Sequence, residues 1–372
     1  MGELTLFLAG DVMTGRGIDQ VLPSPGDPAL REQLVRDARG YVALAESVNG
    51  PIPMPVPASW PWGDVLTTLE EAQPDVRIIN LETSVTGSGD FAPGKPVHYR
   101  MHPDNVRCLV VARPDVCVLA NNHVLDFGQS GLVETLWTLD DAGLAHTGAG
   151  RNVREAQRPA VVSVGRRRRV VVHAVGTESS GVPSGWAATT NRAGVAFVPD
   201  LSASGADALA TRVRRSTRPS DVVVVSVHAG SNWGYGVRGR YVRFARRLVD
   251  GGVDVVHGHS SHHPRPVEVY RGRPILYGCG DLINDYEGIG GFESFRSDLR
   301  LLYLVTLDAD THELTGVRMV PMRARRLRLE RVTGTDAVWL QQTMARICRG
   351  FGTAIELGAD DSLLARAADD RR

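Results

Sequence analysis

Short runs of β-branched and aliphatic residues recur along the chain at Leu4–Ala9, Val76–Ile79, Val116–Leu119, Val170–Val175, Val222–Val227, Val253–Val256 and Ile275–Tyr277. Most are apolar without interruption, the pattern of strands covered on both faces. Between them, Trp62–Glu71, Asn105–Ala112, Ser130–Ala142, Ala206–Arg215 and Tyr241–Gly251 place apolar residues three and four apart, which predicts helices. Strand and helix alternating in this way predict an α/β layered fold. After Arg300 the pattern changes: Leu301–Asp308 and Val317–Leu327 flank the polar turn Ala309–Gly316 as a hairpin, and a helix follows over Thr335–Gly350. Residues 1–330 are expected to form one layered domain. Residues 331–372 would add a helix packed on it and a tail that frays beyond Asp360.

Composition narrows the function. Equal numbers of basic and acidic residues, 42 each, supply no global field for nucleic acid. No apolar run approaches the roughly 20 residues of a membrane span. Leu4–Ala9 is too short for a secretory core and lacks a basic leader, so a cytoplasmic protein without a membrane partner is expected. Cys108, Cys117, Cys279 and Cys348 show no C-x-x-C spacing and read as buried thiols. Lys95 is the single lysine, and the Arg166–Arg169 cluster reads as a solvated turn. Two loops, Gly50–Pro61 and Gly87–Met101, are long enough to be expected at the border of a pocket.

The polar residues that follow the strands carry the chemistry. Asp11 follows the first, Glu82 the second, and Asn122, His123 and Asp126 the third; His228 ends a later strand, and His257, His259, His262 and His263 end the next. Any one of them alone reads as a cap or turn residue. Strand C-termini in an α/β sheet open onto one crevice, so five segments would deliver carboxylate, amide and imidazole to a common place. With no thiolate among them, the set suits a hard or borderline divalent cation.

The segments GDVMTGR, NLETS, ANNHVLDFG, HAGSNWG and GHSSHHPRPVEVYRGRPILYGCGD, in that order, resemble the motifs of the CapA-type family, named for poly-γ-glutamate capsule synthesis, within the calcineurin-like metallophosphatase superfamily. The resemblance implies a four-layer α/β/β/α sandwich with a metal site at the strand ends. It places Asp11, Glu82, Asn122, His228 and His259 as metal ligands and His123 as the acid/base histidine. Met13 stands where the superfamily has a histidine ligand, and Glu82 where it has a bridging aspartate. Both departures argue for one tightly held ion, Ca²⁺, Mg²⁺ or Mn²⁺, with no organic cofactor.

The CapA-like group also includes lasso-peptide epimerases, and the resemblance extends to them. It implies inversion at Cα of a C-terminal aromatic residue, with tryptophan expected, in a ribosomal precursor peptide. Two His/Asp bases would carry this, His123 with Asp126 and His259 or His262 with Asp11. Peptide-binding candidates are Trp60, Trp62, His98, Tyr99 and Arg100, the last through its planar fork. Ala229 stands where relatives carry tryptophan; the space could admit an aromatic substrate, or Trp233 could refill it. The alternatives are a metal-dependent hydrolase of phosphoester or γ-glutamyl amide bonds, and an accessory protein of poly-γ-glutamate synthesis. The partner expected is a peptide substrate.

Overall fold

The computed structural model describes residues 2–165 and 168–368. Its first sheet runs in the order Thr353–Leu357, Leu363–Ala367, Leu314–Ala324, Leu299–Asp308, Glu3–Val12, Val76–Leu81, Val116–Val118, His146–Thr147. Glu3–Val12 and the three strands after it in that order are mutually parallel, and the C-terminal half is antiparallel. The second sheet centres on Arg168–Thr177, Asp221–His228, Val255–His259 and Arg273–Leu276, all parallel.

Both sheets bury both faces, and this explains their uninterrupted apolar runs. Leu4, Leu6, Leu8, Ile78 and Val116 from the first sheet share one core with Val170, Val172, Val222, Val224 and Val255 from the second. On the outer face of the first sheet, Phe7, Ile79 and Cys117 pack with residues of Arg39–Asn49, Asp64–Ala72 and Gly128–Asp141. On the outer face of the second, Val223, Val225 and Val227 pack with Ala203–Arg214 and Gly239–Asp250. The layers are therefore α/β/β/α, as expected.

Two features differ from expectation. Within the tail expected to fray beyond Asp360, Leu363–Ala367 is a strand paired with Leu314–Ala324, and Leu363 and Ala365 enter the central core; residues 369–372 lie outside the described residues. The alternation that makes this a strand, LLARA, is too short to stand out against its polar surroundings. The predicted helix over Asn105–Ala112 is a 3-10 turn, Pro103–Val106, followed by the short helix Arg107–Val110. Arg166 and Arg167 of the arginine cluster lie outside the described residues. Among the described residues no helix is long and apolar enough to cross a membrane.

The fold gathers the polar strand ends. His228 and His259 are register partners on adjacent parallel strands. Asp11 pairs with Asn80 on one side and with Asp281 of the short strand Asp281–Ile283 on the other. That last pairing requires Gly10, because a Cβ there would lie 1.7 Å from Gly280 O.

Candidate metal centre

Asp11, Glu82, His228 and His259 converge in a site where each is at most 2% exposed. A chain of hydrogen bonds fixes which ring nitrogens carry protons. Ala9 O can only accept, so His257 Nε2, 2.8 Å away, donates. Burial pulls the pKa of His257 down to about 4. The ring is therefore neutral, and its Nδ1 accepts from Ser226 Oγ at 3.2 Å. With that proton committed, Ser226 Oγ accepts from His259 Nε2 at 2.8 Å. Burial also drives His259 well below the usual imidazole range, so it turns a bare Nδ1 lone pair into the site.

His228 is in the same condition. Burial is the main cause that holds its pKa well below the ordinary value, and electrostatic repulsion from the neighbouring His123, His262 and Lys95 adds to it. With the amide oxygen of Asn122 facing it at 3.0 Å, its Nε2 donates and its Nδ1 is left bare. The two Nδ1 atoms lie 2.7 Å apart. Glu82 Oε2 is 3.7 Å from one and Asp11 Oδ1 is 3.9 Å from the other. Asn80 Nδ2 steadies both carboxylates at 2.7 Å. Asp11 Oδ2 is buried with no hydrogen-bond partner among the described residues.

Facing lone pairs beside two carboxylates and an orphaned oxygen are mutually repulsive unless a cation sits among them. Without one, burial and then the Asp281 charge push the Asp11 carboxyl up to about 7, while burial and then Asp11 push Glu82 well above its ordinary value. Donor atoms of Asp11, His228 and His259 lie close enough together to hold a divalent cation, with Glu82 beside them and each imidazole oriented from behind. Asn122 is placed at the back of His228, orienting it, rather than beside the carboxylates. That differs from the ligand role which the resemblance implied.

Asp11, His262 and Asp281 also bring donor atoms together, but His262 and Asp281 are already committed to each other and to Asn284. His262 Nδ1 and Asp281 Oδ1 bond at 2.9 Å, and Asp281 Oδ2 accepts from Asn284 at 2.6 Å. Burial lowers the His262 pKa, but Asp281 more than offsets it and the net shift is upward. An imidazole that keeps its proton is a poor ligand. The aspartate partner of His262 is thus Asp281, and Asp11, expected beside His259 or His262, lies near His259.

His123 and Asp126 do form the expected pair, His123 Nδ1 to Asp126 Oδ2 at 2.6 Å. The shift here is opposite: burial brings His123 down to about 4 even though Asp126 opposes it, and the nearby Lys95 charge adds to the fall. Tyr99 lies edge-on to His123, Tyr286 edge-on to His262, and Tyr99 OH donates to Tyr286 OH at 3.1 Å. The two His–Asp pairs are therefore joined by an aromatic bridge.

The remaining candidates separate. Of the Gly87–Met101 loop, Tyr99 and Lys95 reach the site. His98 is buried against Phe91 and Phe127 and bonds Ala92 O, and the Arg100 guanidinium lies 3.8 Å over the Phe127 ring. The loop does border a cavity of about 410 Å³, lined by Phe91, Pro93, Phe127 and Trp186. Trp60 bonds Arg326 O and Trp62 bonds Cys108 O, the latter fully buried in the core, so neither indole is presented to substrate. Trp62→Ala should cost about 3–5 kcal/mol in urea unfolding while leaving cation binding unchanged. Ala229 packs in the outer core of the second sheet, so its small side chain opens no space at the site. Trp233 instead stacks on Phe292 at 3.9 Å and lies 5.4 Å from His262.

The sequence reading missed Asn80 and Ser226: Ser226 lies two residues before His228 on one strand and hence on the same face, and Asn80 lies two residues before Glu82, just inside the end of its strand. The sequence offered Asp281 either as an extension of the site or as a turn cap, without naming His262 as its partner.

This geometry can be set beside known proteins. Over 361 residues, 97% of this chain and 95% of the relative, the chain is 55% identical to a probable polyglutamine synthesis accessory protein of Mycobacterium tuberculosis. It is 29% identical to the PGA biosynthesis protein CapA of Bacillus subtilis over 214 residues, 55% of this chain and 52% of that one. A phosphatase structure from Mycoplasma pneumoniae superposes with a TM-score of 0.49 at 12% identity, covering 87% of this chain and 94% of that one. The model of the bacterial capsule synthesis protein PGA_cap matches residues 5–286, which span every strand end that feeds the site. The chain belongs to the PGA_cap family of bacterial capsule synthesis proteins.

Proposed function

We propose that this chain is a metal-dependent hydrolase serving glutamate-polymer synthesis, cleaving amide bonds in a γ-linked glutamyl chain. The observation that carries the reading is the convergence of two bare imidazole lone pairs with Asp11 and Glu82. The relatives named for PGA biosynthesis and polyglutamine synthesis supply the substrate class. The two imidazoles favour Mn²⁺ over Ca²⁺ or Mg²⁺, which prefer all-oxygen sets. A bound cation would polarise the scissile carbonyl and make a water acidic enough to attack.

The protein's own groups handle the protons. His123 has its Nδ1 committed to Asp126, so its Nε2 is the nitrogen free to take a proton. His262, bonded to Asp281, is the group able to return one to the departing nitrogen. Incubation of γ-linked oligoglutamate with the Mn²⁺-loaded protein should release new amino groups, and chelation should stop the release. If the protein binds Mn²⁺ but leaves the oligomer intact, the reading fails.

One observation favours a second reading, peptide epimerisation: two separate His–Asp pairs linked through Tyr99 and Tyr286. A base on each side of a Cα could remove and return its proton. The named relatives weigh toward the glutamyl polymer. Deuterium at Cα of a C-terminal tryptophan, after incubation of such a peptide in D₂O, would reverse that weighting.

A further inference from the structure

Arginine fills 41 of the 42 Lys and Arg positions, and the one exception, Lys95, is at the site. Its side chain is 12% exposed. Its Nζ donates to Asn122 O and to Asp126 Oδ1 and lies 3.3 Å from His123 Nδ1. The same ammonium is 5.1 Å from the centre of the Trp186 ring. Asp126 is thereby held from three directions, since its Oδ2 also accepts from His123 Nδ1 at 2.6 Å and from Tyr99 N at 2.7 Å.

We propose that Lys95 is a positioning residue for His123: it clamps Asp126 and the Asn122 carbonyl so that the imidazole is fixed through Nδ1, with Nε2 left for proton transfer. An ammonium suits this place because its protons diverge, reaching a backbone carbonyl and a carboxylate from a single small atom. A guanidinium keeps its donors in one plane and needs more room. It would displace Asp126 from the Tyr99 N–H. In a chain that uses arginine at every other basic position, Lys95→Arg is therefore the sharpest substitution.

The role given to Nε2 rests on the hydrolase reading, whereas the clamp itself does not. The first test is accordingly independent of turnover. The His123 Nδ1–H resonance, assigned by its loss in His123→Asn, should be sharp and slow to exchange in the wild type. It should broaden and exchange rapidly in Lys95→Met, and also in Lys95→Gln, which serves if the methionine variant does not fold. An unchanged resonance in these variants overturns the proposal.

The second test is kinetic, with γ-linked oligoglutamate and Mn²⁺. Lys95→Met should lower kcat about 100-fold with KM little changed, because a misplaced base slows the chemical step rather than binding. Lys95→Arg should not restore it, and propylammonium should partly rescue Lys95→Ala. Full activity in Lys95→Arg would reduce the residue to a generic charge and sink the proposal. If the wild type turns over no oligomer, the hydrolase reading falls, and the resonance alone decides the role of Lys95.

Discussion

Ser226→Ala should weaken Mn²⁺ binding about 10–100-fold, and His259→Ala should abolish it, both read by titration calorimetry on metal-free protein. Ser226 touches none of the donor atoms that would face the cation. Its effect runs through proton placement: Ala9 O obliges His257 to donate from Nε2, His257 Nδ1 takes the serine proton, and Ser226 Oγ is left to accept from His259 Nε2. Remove the hydroxyl and the His259 proton is free to shift to Nδ1, where it blocks the lone pair. The intact protein should gain stability from the ion in proportion. At a free Mn²⁺ concentration of 100 Kd the gain is about 2.7 kcal/mol, or about 3 °C in Tm for a chain this long. Equal Tm values with Mn²⁺ and with chelator would remove the cation from the site.

How much of this was legible in the sequence depended on the physical range of each signal. The parallel strands announced themselves because a strand buried on both faces is apolar at nearly every position, and Val222–Val227, with Ser226 its one polar residue, could be little else. Leu363–Ala367 did not, because the inner of its two partners, Leu314–Ala324, lies some 45 residues earlier in the chain, and its hairpin partner Thr353–Leu357 is the sheet's edge. Asp11, Glu82, His228 and His259 were legible as chemistry at strand ends, since their residue types are unusual beside such apolar runs. Their partners were not. Asn80 and Ser226 are ordinary strand residues until another segment is brought opposite them. The pairing of His262 with Asp281 depends on a close crossing at Gly10 and Gly280 that no local pattern encodes. Trp62 lies in the core for a related reason: an indole is as well suited to a core as to a pocket, and only burial tells the two apart.

Asp285→Asn should destabilise the protein by about 3–5 kcal/mol in urea unfolding, the largest cost expected of any single polar substitution outside the metal centre. Arg16 is 4% exposed and is held by Asp285 through Nε at 3.1 Å and through Nη2, and by Glu32 through Nη1 at 3.0 Å and 3.2 Å. Burial works against the charge, but Asp285 and then Tyr99 and Glu32 outweigh it, and the guanidinium is held firmly protonated. Tyr41 and Tyr99 sandwich it, with its central carbon 3.8 Å and 4.4 Å from their ring centres. An amide at position 285 offers one acceptor where the carboxylate offers two, and its NH₂ would face the guanidinium; half of the compensation is lost while the charge stays buried. The double variant Arg16→Met with Asp285→Leu removes both charges and should be less destabilised than Asp285→Asn alone, since apolar replacements leave nothing unpaired. Because Tyr99 packs on Arg16 with one face and meets His123 edge-on, the single substitution should also disturb the His123 ring; the double variant, which restores a filled apolar support under Tyr99, should disturb it less. If Asp285→Asn unfolds at the wild-type urea concentration, the ion cluster contributes nothing to the support of the site.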